Sequence, residues 1–315
     1  MGEGGKAEAA GLRVLASGLR FPEGPVFLPD GGGVVLVEIA AGRLTRVAPD
    51  GTTTVMASPG GGPNGIALGP GGRIFCCNNG GFHWHEEPGL LRPLGQGRDY
   101  SGGRIEVIDP GSGAVTRLYD RCGEHALKGP NDLVFDPRRG FWFTDLGKVR
   151  GRDRDHGGVY WAEADGSRIV EAAHPIFGGA NGIGLSPDGS VLYVAETETG
   201  RLWAWDVEEP GRLRKEPWPS TSGGRLLVQF TGFRRLDSLA VTAAGNICVA
   251  TLVSGEITTV SPRGEILRVV PMPERMPTNI CFGGEGMRTA FVTLSTTGKL
   301  AALAWDEPGL RLPFG

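Results

Sequence analysis

No apolar run in the 315-residue chain is long enough to cross a bilayer as a helix. Its opening stretch, MGEGGKAEAAGLRVLASGL, lacks the apolar centre of a secretory leader. Neither sign of charge dominates. The 32 basic and 35 acidic residues leave a net charge of −3, which gives no electrostatic reason to expect nucleic acid or an anionic membrane as partner. Cysteine is scarce: Cys76, Cys77, Cys122, Cys248 and Cys281 are odd in number and lack framework spacing. A disulfide scaffold is thereby excluded, and reduced packing thiols in a cytoplasmic protein are expected. Helical periodicity is missing too, since no long stretch keeps apolar spacings of three and four without glycine or proline.

Glycine is abundant. The chain has 54 of them, against a usual share of about 7%. They follow no G-X-Y order, so many short strands joined by tight turns account for them. Six segments share one pattern: FPEGPVFLPDGGGVVLVEI, GPNGIALGPGGRIFCCNNG, GPNDLVFDPRRGFWFTDLG, GANGIGLSPDGSVLYVAET, RLDSLAVTAAGNICVATLV and MPTNICFGGEGMRTAFVTLS. Each joins two alternating apolar strands by a turn, which is a hairpin signature. A glycine-opened third strand follows each hairpin, from GRLTRV at Gly42 to GKLAAL at Gly298. The units recur at intervals of roughly 40 to 67 residues, the propeller period with inserted loops. The predicted fold is all-β: a six-bladed β-propeller occupying 12–315 as one domain, preceded by a flexible arm over 1–11. The strand Leu12–Leu19 is expected to close the last blade as its outer member.

The innermost strands line the propeller axis, so the polar residue opening each one belongs to a ring. These residues are Glu23, Asn64, Asn131, Asn181, Asp237 and Asn279. One Asn before Gly is ordinarily turn chemistry. Six such residues in register, two of them acidic, would repel and lose solvation without a cation. All are oxygen donors, which suits calcium better than zinc.

The motifs PEGP, GPNDLVFD, NGIGLSPDG and LDSLAV, in that order, resemble the senescence-marker-protein-30/gluconolactonase/luciferin-regenerating-enzyme-like family. The resemblance extends over nearly the whole chain and includes an architecture shared with diisopropyl fluorophosphatase and the paraoxonases. It implies a metal-dependent lactonase with Glu23, Asn131, Asn181 and Asp237 as ligands of one divalent cation. Ca2+ is the preferred ion, with Zn2+, Mn2+ or Mg2+ as alternatives. Asp237 and Glu23 are the expected catalytic residues, with Asp237 positioning or deprotonating the attacking water. Two features depart from the pattern: Gly129 stands where an arginine is frequent, and Ser238 follows the fifth-blade Asp in place of Gly.

The longest insertion, Cys77 to Gly103, supplies Asn79, His83 and Trp84 as expected substrate contacts, beside Asn64, His125, Lys128 and Asp145. His83 and His85 are an alternative zinc pair, but no third ligand lies nearby. The stretch KVRGRDRDHGG from Lys148 is expected to be a solvated loop. The expected partner is a small lactone or ester, opened by water. Alternatives are phosphotriester or aryl-ester hydrolysis on the same ring, and a non-catalytic binding propeller.

Overall fold

The computed structural model describes residues 11–137 and 140–315. Of the arm expected over 1–11, all but Gly11 lies outside the described residues. Among the described residues there is no α-helix, only three short 3-10 turns, and hence no helix able to cross a membrane.

Alternating apolar residues form six antiparallel sheets, each a blade. From axis to rim, the first blade is Pro22–Phe27, Val34–Glu38, Arg43–Val47 and Thr53–Ala57. The second begins with Pro63–Leu68 and Ile74–Asn78, the third with Pro130–Phe135 and Gly140–Asp145. The fourth begins with Ala180–Leu185 and Val191–Glu196, the fifth with Arg235–Val241 and Ile247–Leu252. In the sixth, Pro277–Gly283, Thr289–Leu294 and Lys299–Ala304 are followed outward by Arg13–Ala16, so an early strand completes the last sheet. That strand is shorter than the sequence pattern predicts.

Each innermost strand packs against the innermost strands of both neighbours, closing the ring. Glycine makes this approach possible. A Cβ at Gly65 would come within 2.6 Å of the Asn131 carbonyl oxygen, and one at Gly182 within 2.7 Å of the Asp237 carbonyl oxygen. No other residue fits these positions without moving the neighbouring strand. Between blades, aromatic and aliphatic side chains fill the gaps: Trp142, Trp161 and Trp205 join the third and fourth blades in one cluster. All five cysteines are free thiols, and three are fully buried, as packing residues should be.

The strand register puts Glu23, Asn64, Asn131, Asn181, Asp237 and Asn279 at one end of the innermost strands. The insertion 79–103 and the loop 146–156 leave from that same end. At the opposite end an apolar cavity of 190 Å³ runs along the axis between Asp132 and a C-terminal segment that includes Leu310 and Leu312.

Candidate metal centre

Three carboxylates meet near the axis. Glu23 is 3% exposed, and its Oε2 accepts hydrogen bonds from the Gly24 backbone at 2.7 Å and from Asn279 Nδ2 at 2.8 Å. Asn279 turns its own Oδ1 to the Ile280 backbone N–H at 2.8 Å, so it holds Glu23 in place. Burial raises the Glu23 carboxyl above its usual range despite these bonds. Asp237 retains some exposed surface but is crowded by protein. Burial first, then the Glu23 charge, drives its carboxyl well up, against a side-chain bond from Asn181. Asp132, absent from the sequence-based candidates, is the third. Burial and Glu23 push it up to about 7, although Leu133 N–H and the Ser238 hydroxyl both bond to it. The hydroxyl at Ser238 thus serves Asp132.

The same end of the innermost strands carries two amide oxygens without partners. Asn131 Oδ1 and Asn181 Oδ1 are buried and accept no hydrogen bond. Asn181 is oriented by its other atom, Nδ2, which donates to Thr197 Oγ1 at 3.0 Å. A buried acceptor with no donor costs about 1–3 kcal/mol. Two orphaned oxygens beside mutually repelling carboxylates fit a hard cation, which would satisfy both. Among the described residues, His, Cys, Asp and Glu by themselves form no group that could hold a metal ion. Asn64, the ring residue of the second blade, is 5% exposed.

The insertion folds as a hairpin, Phe82–Glu87 with Leu90–Gln96, fastened on three sides. Leu91 N–H bonds to Thr296 O of the sixth blade at 3.0 Å, and Glu86 pairs with Arg20. Gln96 N–H reaches Val149 O at 2.9 Å. Trp84 packs on Phe21 at 5.2 Å, while His83 is exposed. Together with Phe82 and Arg98 they border a 280 Å³ cavity.

Lys148 departs from the solvated-loop expectation. It is 1% exposed, and its Nζ donates to Asn79 Oδ1 at 2.9 Å and Gly81 O at 3.0 Å, over the Phe82 ring at 4.0 Å. Burial lowers its ammonium to about 7, against the pull of Asp145 and Asp155. The signal for this was weak, because alternating charge cannot tell which cation turns inward. Asn79 is thus a partner of Lys148, with its Nδ2 buried and free. Asp145 accepts three backbone N–H groups, from Lys128, Gly129 and Gly147 at 2.7–2.8 Å, and so clamps the turn before Asn131. Lys128 and His125 have exposed side chains, His125 on the small hairpin Arg121–Cys122 with His125–Ala126.

A closed six-bladed propeller with an oxygen-lined ring at one mouth defines the class. The family model described as SMP-30/Gluconolactonase/LRE-like region matches residues 21–296, and the chain belongs to that family. Among curated relatives, "Lactonase drp35" of Staphylococcus haemolyticus is 28% identical over 84% of this chain and 73% of its own length. "6-deoxy-6-sulfogluconolactonase" of Pseudomonas putida is 28% identical over 86% of this chain and 82% of its own. A calcium-binding protein, regucalcin, from Agrobacterium tumefaciens shares the fold with a TM-score of 0.72 at 19% identity, covering 98% of this chain and all of that one.

Proposed function

We propose that the chain is a lactone hydrolase that works with one divalent cation, calcium by preference, held by Glu23, Asn131, Asn181 and Asp237. The carrying observation is the pair of buried, partnerless amide oxygens on Asn131 and Asn181 beside two carboxylates. Relatives named as lactonases support the reaction class, and the calcium-binding neighbour supports a hard ion.

A bound cation supplies a Lewis acid that polarises the ester carbonyl. The protein's own groups do the rest. Asn279 and Gly24 fix the Glu23 carboxylate, so its charge is set before substrate arrives. Asp237, the more open of the two, accepts the proton of the attacking water at its carboxylate oxygen. That proton passes to the ring oxygen as the carbon–oxygen bond breaks, giving a hydroxy acid. The fastened hairpin narrows the mouth and limits bulk water.

The test is chelation followed by titration of Ca2+, Mn2+ and Zn2+ against a panel of D-glucono-δ-lactone, an aromatic lactone, an aryl ester and a fluorophosphate. Lactone opening is expected to vanish on chelation and return with the ion. Unchanged hydrolysis in chelator, or preference for the phosphorus substrate, would overturn the reading.

A further inference from the structure

We propose that the loop between Asp145 and Gly157 is a recognition site for an oxyanion carried by the substrate, with Arg154 as the residue that reads it; this rests on the lactone-hydrolase reading above. The loop rises from the ring-bearing end of the third blade and folds on itself. Arg150 N–H bonds to Asp153 O and Asp155 N–H to Lys148 O, both at 2.9 Å, while Val149 and Arg154 bridge. Its charges are then spent unevenly. Arg150 pairs with Asp153 at 2.9 Å and Asp155 at 2.8 Å, and Lys148 is buried against Asn79.

Arg154 is left over. Among the described residues its side chain has neither a hydrogen bond nor an ion pair, and its Nε is buried without an acceptor. The guanidinium rests on backbone at the mouth: a Cβ at Gly179 would lie 2.9 Å from Arg154 Nη2. Gly179 stands two residues before Asn181, so the group reaches the edge of the candidate metal centre. Glycine here, at φ +87°, keeps that seat open.

Two more partnerless atoms share this rim. Arg235, two residues before Asp237, pairs with Glu198 yet leaves its Nε buried and free, and Thr199 Oγ1 is likewise unsatisfied. Glu198 N–H bonds to Gly178 O, which ties this group to the Arg154 seat. Glu198 offsets Arg235, and the nearby Glu196 carboxylate is engaged by the Gly178 N–H and the Trp203 indole, whereas Arg154 has no ion-pair partner among the described residues. A neutral hydroxyl would satisfy a donor but leave that charge uncompensated in a half-buried place. A carboxylate, sulfonate or phosphate does both, and fits the planar fork of a guanidinium. The axial carboxylates would repel such an anion, but a bound cation offsets them, and the seat lies over Gly179 beyond the ring.

The experiment compares kcat/KM for D-glucono-δ-lactone with that for its analogues bearing a terminal carboxylate or phosphate, in the calcium-loaded enzyme. The Arg154→Ala variant is expected to lower the anionic-to-neutral ratio about tenfold or more, mainly through KM, and Arg154→Lys to recover part of it. Arg152→Ala, on the exposed turn, should leave the ratio as in wild type. A ratio unchanged in Arg154→Ala, or lowered equally by Arg152→Ala, would overturn the proposal. The two analogues show which anion is preferred. If wild type opens no lactone, the parent reading fails, and calorimetry with D-glucarate against the neutral polyol D-glucitol still decides. Selective weakening of glucarate in Arg154→Ala supports the anion seat, and equal binding in both proteins refutes it.

Discussion

Replacing Asp132 by Asn tests whether acidic groups are crowded on the axis. The Asp132 carboxyl is pushed up to about 7 by burial and by Glu23. Displacement from the ordinary Asp range to there corresponds to about 4 kcal/mol. A raised carboxyl stabilises the fold at acid pH, and that stability is lost as pH climbs from about 4 through 7. Metal-free protein at pH 8 therefore carries a strain that Asn removes. The substitution keeps an Oδ1 acceptor for the Leu133 N–H, now at 3.0 Å, and offers Glu23 a donor. Unfolding entropy for a chain of this size implies about 1.5 °C per kcal/mol, and relaxation is expected to take up to half of the effect. In chelator at pH 8, Asp132→Asn should raise Tm by about 3–6 °C, with a much smaller change at pH 5. Saturating Ca2+ should narrow the gap by offsetting the Glu23 charge. Differential scanning calorimetry of both proteins at both pH values gives the answer. A lower Tm in the variant at pH 8, or equal shifts at both, would refute the crowding argument.

Other variants test separate parts of the account. Glu23→Gln removes one of two charges at the centre, and steady-state assays should show lactone hydrolysis reduced about 100-fold or more, as befits several kcal/mol of lost charge stabilisation. Asp237→Asn should abolish most turnover and flatten the acid limb of the kcat/KM pH profile; full turnover would remove Asp237 from the proton-transfer role. Asn279→Ala should weaken calcium affinity about 10–100-fold by freeing Glu23, measured by calorimetry. The depressed ammonium of Lys148 makes wild-type stability rise between pH 7 and 10, because the unfolded chain binds the extra proton there. Denaturant melts should accordingly show Lys148→Met more destabilising at pH 9 than at pH 6.

The blade count was legible because a hairpin plus a glycine-opened strand repeats six times, and period-two alternation survives every loop insertion. The ring positions were legible for the same reason: register fixes where Glu23 and Asn181 stand. Register does not say which neighbour will spend a side chain. Asn279 and Asn131 occupy equivalent places, yet one is committed to Glu23 and the other left with a free oxygen. Asp132 was hidden one residue beyond the ring, where five of the six repeats show Gly, Ser or an aliphatic residue. Asp145 looked available from its place at a strand end, but local N–H groups claim it, as turns tend to do with short acidic side chains. The loops were least legible. Lys148, Arg150 and Arg154 have similar sequence surroundings, and only folding separates a buried anchor, an ion-pair hub and a free guanidinium.

The most direct measurement is the metal content of chelated and then calcium-dialysed protein, by mass spectrometry of the elements, for wild type, Glu23→Gln and Asn181→Ala. One equivalent of calcium per wild-type chain, falling well below one in both variants while near-ultraviolet spectra stay native, is the predicted result. No bound ion in wild type, or a full equivalent in both variants, would contradict the claim that these side chains jointly hold a cation on the propeller axis.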